Sequence, residues 1–226
     1  MLSWIQDHTL LELTRHETRR YSQLRPKDVE GNLFLYHLSR LIKDGLVEKI
    51  EREYQLSTKG IQLAGVLSLE TGKVRKQPKI LTAVICKNAT NEHLLVRWHR
   101  QPNIGLVSFP HGMVHYGETI ADMAARELAE KAGLEATMHY RGDVYVRGLR
   151  GDEIDRHMLV HLFDAQDLRP GHQEALRPDV CESFWAPLSD FKPEQFVPGF
   201  YEIAQCIEQQ PSGQIFAEFT VVIANN

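Results

Sequence analysis

Apolar residues in the first third of the chain recur at the three- and four-residue spacing of helices that pack against a core. They predict three helices, defined by Leu2, Ile5, Leu10, Leu11 and Leu13, by Tyr21, Leu24 and Val29, and by Phe34, Leu38, Leu41 and Ile42. Gly45 is typical of a residue just past a helix end. Two short strands at 46–50 and 54–56 enclose the polar turn 51–53, and Ser57 or Thr58 begins a helix over 58–68.

The pattern changes after residue 78, where runs of apolar and β-branched residues are typical of strands. A helix is expected from Thr119 until just before Gly133, and a second one over 200–209. The expected strands are 80–87, 93–98, 136–148, 157–164, 181–186 and a terminal one within 214–224. Strands interspersed with two helices indicate an α/β fold for this part.

Composition indicates a globular protein with an ordinary core, since 42% of the 226 residues are hydrophobic and 25% are charged. No apolar run approaches the roughly 18 residues that a membrane helix needs, and the N-terminus has no basic segment typical of a signal peptide. We therefore expect no membrane partner. The three cysteines are far apart and in no metal-ligand spacing, which favours a reducing, cytoplasmic compartment. They are Cys86, Cys181 and Cys206.

Charge is distributed unevenly along the chain, whose formal net charge is -4. Residues 1–76 hold 13 basic and 10 acidic residues, whereas residues 77–226 hold 13 basic and 20 acidic ones. The first part can approach a polyanion, but the second needs a metal or a local basic pocket to do so. We predict two domains, at 1–72 and 79–226, joined by a basic linker at 73–78.

The segment YHLSRLIKDGLVEK, followed by YQLSTKG, resembles a winged helix-turn-helix. The resemblance implies a small, mainly helical N-terminal domain that binds DNA through residues 25–55. The side chains expected to reach base edges are Asn32, Arg40 and Lys43. The turn at 51–53 carries two glutamates that phosphates would repel, so dimerisation or packing is the alternative role of this domain.

Residues 112–134, GMVHYGETIADMAARELAEKAGL, carry acidic residues at a distinctive spacing. Gly112 is followed after five residues by Glu118, and after seven more by Arg126 and Glu127. Glu130 lies three residues beyond Glu127, so the two carboxylates share one face of the predicted helix. This spacing resembles the Nudix box, which implies a Nudix α/β/α sandwich with a mixed sheet.

Hydrolysis of a diphosphate requires charge neutralisation and an activated water, and divalent metals supply both. Mg²⁺ prefers oxygen ligands, and a glycine at 112 lets a backbone carbonyl approach closely. The resemblance implies that Arg126 and Glu118 form a structural ion pair. It further implies that Glu127 and Glu130 bind Mg²⁺ or Mn²⁺ or act as the base. Glu182, just before the segment FWAPL, is the candidate for a further metal ligand.

Lys131 departs from the box, which has a second acid at this position. An ammonium group has no lone pair and cannot ligate a metal. Two roles stay open, an ion pair with Glu127 and neutralisation of a substrate phosphate. His111 also departs from the usual glycine, and we expect it to contact substrate together with Arg97. Trp98 can stack on a base or belong to the core.

Two functions follow from these resemblances. The first is a Nudix hydrolase that uses a divalent metal to cleave a nucleoside-diphosphate-linked substrate, so its partner is a nucleotide-type small molecule. The alternative is a regulator that senses a ligand in its Nudix domain, binds DNA through the winged helix and has little or no hydrolase activity. The winged helix and the β-rich tail both offer surfaces for a homodimer.

Overall fold

A computed structural model describes residues 2–68 and 74–224 of the chain. The chain divides into two compact units, Met1–Lys76 and Gln77–Asn226. The division between Lys76 and Gln77 lies within the predicted linker at 73–78, of which residue 73 lies outside the described residues.

The first unit combines helices with a small antiparallel sheet in the order β1-β3-β2. Its elements are α1 (Trp4–Arg15), β1 (Arg19–Arg20), α2 (Tyr21–Leu24), α3 (Gly31–Lys43), β2 (Val47–Ile50), β3 (Glu53–Leu56) and α4 (Thr58–Val66). The predicted helices and the hairpin are therefore confirmed. The turn is shorter than expected, because Glu53 pairs with Ile50 inside the ladder.

Helix α1 begins with a reciprocal capping box between Ser3 and Gln6. The core of the first unit forms where the apolar faces of its helices pack together. Phe34, Leu38 and Leu41 of α3 are almost completely buried. Ile42, expected on the same face, is 37% exposed because it lies at the edge of that stripe.

Residues 77–224, the described part of the second unit, form two sheets and two long helices. Its elements are β4 (Lys79–Ile85), β5 (His93–Trp98), β6 (Val107–Ser108), β7 (His111–Met113), α5 (Ile120–Ala132), β8 (Leu134–Arg150), β9 (Glu153–Pro170), β10 (Cys181–Ala186), α6 (Phe200–Gln209) and β11 (Ile215–Val222), with three short 3-10 turns. The larger sheet is mixed, in the order β11-β8-β9-β4-β7, and the smaller one is β10-β5-β6. All the strands and helices predicted for this part of the chain are present.

Alternation along β4 shows how the two helices sandwich the larger sheet. Leu81, Ala83 and Ile85 belong to the core that contains Phe200 and Ile203 of α6. Val84 and Cys86, which point the other way, pack with Ala124 and Leu128 of α5. The second unit is thus an α/β/α sandwich with a mixed sheet, as predicted.

The helix that carries the acidic motif has well-defined ends. Thr119 caps its first turn by accepting a hydrogen bond from the backbone N–H of Asp122. Gly133 ends it in the left-handed conformation, at a φ of +64°. The helix therefore begins and ends where the sequence predicts.

The β8–β9 hairpin is longer at both ends than the predicted strands 136–148 and 157–164. Its register shifts at three places, between Glu135 and Thr137, between Tyr140 and Gly142, and between Gly148 and Leu149. Each shift breaks the period-two alternation, and the strand ends carry polar residues, so the pattern could not reveal the full length.

The structure has no helix in its described parts, 2–68 and 74–224, that is long and apolar enough to span a membrane. All three cysteines are free, and two of them, Cys86 and Cys181, are buried.

Gly142 provides a test of how β11 joins the sheet. Its φ is +136°, and an added Cβ would collide with the backbone of Ile215. Gly151 has a φ of +61° but open space around it. We expect Gly142→Ala to reduce the free energy of unfolding by about 3 kcal/mol or more, because backbone strain and overpacking add. Gly151→Ala should cost only about 1–2 kcal/mol. Urea unfolding of both variants measures this, and equal losses would contradict the close approach.

Candidate active site

Arg126 of α5 holds the loop after β7 against the helix. Its Nε donates to Glu118 Oε1 at 2.7 Å, and its Nη2 donates to Glu118 Oε2 at 3.0 Å. Nη2 also lies 3.2 Å from the carbonyl oxygen of Met113, which it donates to. The guanidinium therefore ties the end of β7 and the loop that follows it to one point of the helix.

The carboxylate of Glu118 is stabilised in its charged form. The hydrogen bonds from Arg126 lower the pKa of Glu118 to about 2, and the backbone N–H of His115 adds a further donor. The same contact raises the pKa of Arg126 above its ordinary value. Both groups remain ionised at neutral pH, so the loop is held by a bidentate charged pair.

Glu127 is a buried carboxylate between two cations. It is only 4% exposed. Arg126 Nη1 donates to its Oε1 at 2.6 Å, and Lys131 Nζ lies 3.4 Å from its Oε2. Oε2 accepts no hydrogen bond from any side chain or backbone group in the described part of the chain. One lone-pair site of a buried carboxylate is thus left without a donor.

Glu130 lies beside Glu127 and is more open to solvent. Its Oε2 is 3.6 Å from Arg126 Nη1, and its side chain is 25% exposed. Gly112 completes this group, because a Cβ there would overlap the carboxylate of Glu127. The structure thus brings together the residues Gly112, Glu118, Arg126, Glu127 and Glu130, all of which the sequence had singled out.

The side chain of Lys131 is buried and does not lie on the surface. It is 9% exposed, and its Nζ lies over the ring of Trp98, 5.6 Å from the centroid. Trp98 in turn donates its Nε1–H to Ser108 Oγ at 2.9 Å. Of the two roles left open by the sequence, the structure has the ion pair with Glu127. The contact with Trp98 was missed, because no spacing rule links residues 33 positions apart on different elements.

Glu182 is a correction to the predicted metal ligands. It lies on β10 opposite Arg97 of β5, and its Oε1 is 3.3 Å from Arg97 Nε. Cys181, its neighbour, pairs with Trp98 of β5, whose ring contacts Lys131 of α5, so Cys181 is the residue on the α5 side. Successive strand residues point to opposite faces, so Glu182 points away from Glu127. Among residues 2–68 and 74–224, no three acidic, histidine or cysteine side chains converge as a metal site.

The two other residues expected to bind substrate also lie elsewhere. Arg97 pairs with Glu182 and lies over the ring of Phe184, 5.3 Å from its centroid. His111 is buried between Trp98 and Phe200, with ring centroids 4.8 Å and 4.3 Å away. Burial lowers the pKa of His111 to about 4. His111 is therefore a neutral core histidine, and its expected place facing substrate was wrong.

The fold and the site together define an α/β/α sandwich domain that presents carboxylates from a loop–helix segment. The model of the NUDIX domain matches residues 78–205, more than half of the chain. The chain belongs to the NUDIX domain family.

Individual relatives cover parts of the chain. It is 35% identical over 86 residues to the oxidized purine nucleoside triphosphate hydrolase of Mus musculus, a match that covers 37% of this chain and 53% of that protein. The chain thus spans about half the length of this curated relative. A MutT protein from Bacillus halodurans has a TM-score of 0.50 at 17% identity, covering 63% of this chain and 89% of that one. A MutT Nudix hydrolase from Burkholderia pseudomallei has a TM-score of 0.47 at 21% identity, covering 57% and 96%.

The Glu118–Arg126 pair predicts a specific pH dependence of stability. The pKa of Glu118 is about 2 in the folded chain against an ordinary value of 4.5. Its contribution is therefore complete above the ordinary value and is lost as pH falls toward the folded one. The stability gap between wild type and Glu118→Gln should shrink when urea unfolding is repeated from pH 6 down to pH 3.

The matched control is Glu208→Gln, because Glu208 is exposed on α6 and has no ion pair within the described residues. Its small difference from wild type should not change over the same pH range. A Glu118→Gln gap that is equally large at both ends of the range would contradict the charged pair.

Proposed function

We propose that the chain hydrolyses a diphosphate bond of a nucleotide-type substrate with the help of a divalent metal ion, Mg²⁺ or Mn²⁺. The observation that carries this proposal is the pair of carboxylates, Glu127 and Glu130, that Arg126 holds on one face of α5 beside Gly112. Carboxylates that converge next to a glycine backbone are the ligands that Mg²⁺ prefers.

The residues present fit one such ion. Glu127 has a buried oxygen without a hydrogen-bond donor among the described residues, and Glu130 is partly open to solvent. Together with the carbonyl of Gly112, they would hold the metal, and Mg²⁺ commonly keeps several waters besides its protein ligands. A bound divalent ion supplies charge neutralisation and a more acidic water.

The chain's own residues divide the remaining tasks. Arg126 positions both carboxylates and fixes the loop, so it is a positioning residue. Glu127 is committed to two ion pairs and is 4% exposed, which leaves little access for a reacting water. Glu130 makes a longer contact with Arg126 and is 25% exposed on its side chain. We therefore assign Glu130 as the acceptor of the water proton.

The substrate class is supported by the matched relative. The Mus musculus protein is named for hydrolysis of oxidized purine nucleoside triphosphates. A nucleotide carries the phosphoanhydride that this site would cleave. Because residues 77–226 carry a net negative charge, a metal or a local basic pocket is needed for such an anion to bind, and the carboxylate pair favours the metal.

A DNA-binding regulator is the second candidate. The order α1–β1–α2–α3–β2–β3 supports a winged helix-turn-helix, and α3 exposes Asn32, Arg40 and Lys43. Against it, α3 also exposes four apolar side chains, and the hairpin carries two glutamates. These are Leu33, Leu35, Tyr36 and Ile42 on the helix and Glu51 and Glu53 on the hairpin. Hydrolysis is therefore the function that the geometry supports best.

Removal of either carboxylate tests the hydrolase. With Mg²⁺ and a panel of nucleoside diphosphates, triphosphates and diphosphate conjugates, we expect phosphate or nucleoside monophosphate release. Glu130→Gln and Glu127→Gln should each lower kcat/KM by about 100-fold or more, because each removes a proton acceptor or metal ligand. Glu208→Gln is the control and should keep wild-type activity, while circular dichroism verifies folding. A wild-type chain that turns over no member of the panel would contradict the proposal.

Salt dependence tests the second candidate. A winged helix on DNA should bind a random duplex with an affinity that falls steeply as salt rises. Lys43→Ala should reduce the slope of log affinity against log salt by about 1, whereas Lys192→Ala, exposed in the other unit, should leave it unchanged. Fluorescence anisotropy measures both. Absence of duplex binding at low salt would contradict the hypothesis of a DNA-binding regulator.

A further inference from the structure

The carboxylate cluster carries less negative charge than the Nudix box would give it, which changes how strongly it attracts a divalent metal ion. Three acids, Glu118, Glu127 and Glu130, face two cations, Arg126 and Lys131, in one contiguous set of contacts. Their formal charges leave one excess negative charge. The acid that the Nudix box has at position 131 would instead leave three. The lysine therefore removes much of the charge that draws divalent cations to such a cluster.

The ammonium group is held where it acts on Glu127. It lies 3.4 Å from Oε2 of this glutamate, and Arg126 occupies the other oxygen at 2.6 Å. A buried carboxylate is costly unless it is paired, and here two protein cations pair it. Glu127 is thus neutralised within the chain itself, before any metal binds.

Lys131 packs against specific partners on more than one side. Trp98 presents its ring to the ammonium group at 5.6 Å, and the Nε1–H of this tryptophan is anchored on Ser108. With 9% of Lys131 exposed, the ammonium group is turned toward Glu127 and Trp98 and not toward open solvent. This geometry favours a fixed internal charge over a contact with the phosphate of a substrate.

We propose that Lys131 takes the place of one divalent cation, so that the cluster folds without metal and holds a single, comparatively weakly bound ion at Glu127 and Glu130. The inference rests on the proposed function only in its choice of metal ligands, since it does not require that the chain hydrolyses anything. Lys131 acts through Glu127 and is thus a positioning residue.

Metal binding and metal-free stability of the full chain test this inference. Mn²⁺ binding is measured by calorimetry and by electron paramagnetic resonance for wild type, Lys131→Met and Lys131→Glu. We expect one ion in wild type and in Lys131→Met, with about tenfold tighter binding in the latter because a repelling charge is gone. Lys131→Glu should bind two ions. Lys192→Met, an exposed lysine, should match wild type.

Thermal unfolding in EDTA and in excess Mg²⁺ gives the second readout. The midpoint of wild type should rise only slightly with Mg²⁺. The midpoint of Lys131→Glu should lie far below that of wild type in EDTA and recover when Mg²⁺ is added, because the three excess negative charges are then compensated by the metal. If Lys131→Glu does not fold, Lys131→Met carries the test, since its lower midpoint in EDTA and tighter Mn²⁺ binding follow from the same loss of charge.

The inference is overturned if wild type binds two Mn²⁺ ions or none. It is equally overturned if Lys131→Met matches wild type both in Mn²⁺ affinity and in its midpoint in EDTA. Neither readout involves turnover. A chain that shows the expected metal stoichiometry but cleaves no nucleotide would disprove the hydrolase and leave the role of Lys131 standing.

Discussion

The guanidinium of Arg126 is the point on which the site depends. It grips both oxygens of Glu118 and the carbonyl of Met113, and it also reaches the carboxylates of Glu127 and Glu130. A guanidinium can do this because its five N–H donors spread in one plane, whereas an ammonium group is a single point charge. Loop position and carboxylate orientation are therefore not separate properties here. A change that frees Arg126 releases the loop and leaves the buried Glu127 with one cation at the same time.

The surrounding sandwich holds α5 in place and so stabilises this charged cluster. Helix α5 buries Ala124 and Leu128 against the sheet, so its opposite edge can carry charge without losing its place. Gly112 allows the β7 backbone to come so close that a methyl group would overlap the carboxylate of Glu127. Glu127 is only 4% exposed at this close approach, and burial strengthens the ion pairs that it makes. Apolar packing and electrostatics thus support each other, since the helix is fixed by the core and the loop is fixed by the helix.

The features that the sequence revealed are those carried by short-range spacing. Thr119 and Gly133 mark the ends of α5, and the three-residue step from Glu127 to Glu130 sets their common face, because one helix contains all of this information. The errors have a common cause as well. The direction of Glu182 depends on the β5–β10 register, and the burial of His111 depends on its meeting Phe200 of a distant helix. Neither the register nor the tertiary partner of a strand residue can be inferred from the local pattern.

Lys131 shows how such a tertiary partner changes the meaning of a substitution. From the Nudix box alone, a lysine at position 131 would be read as the loss of one metal ligand. This lysine lies one helical turn from Glu127. An ammonium group placed there by chance would be buried near Arg126 and would repel it. In the structure the repulsion is offset on two sides, by the carboxylate of Glu127 and by the ring of Trp98, which Ser108 holds in place. A buried residue with two complementary neighbours, one of which is itself held in place, is structurally integrated into the cluster. The cluster is therefore better described as a site with one cation built in than as a site with one ligand missing.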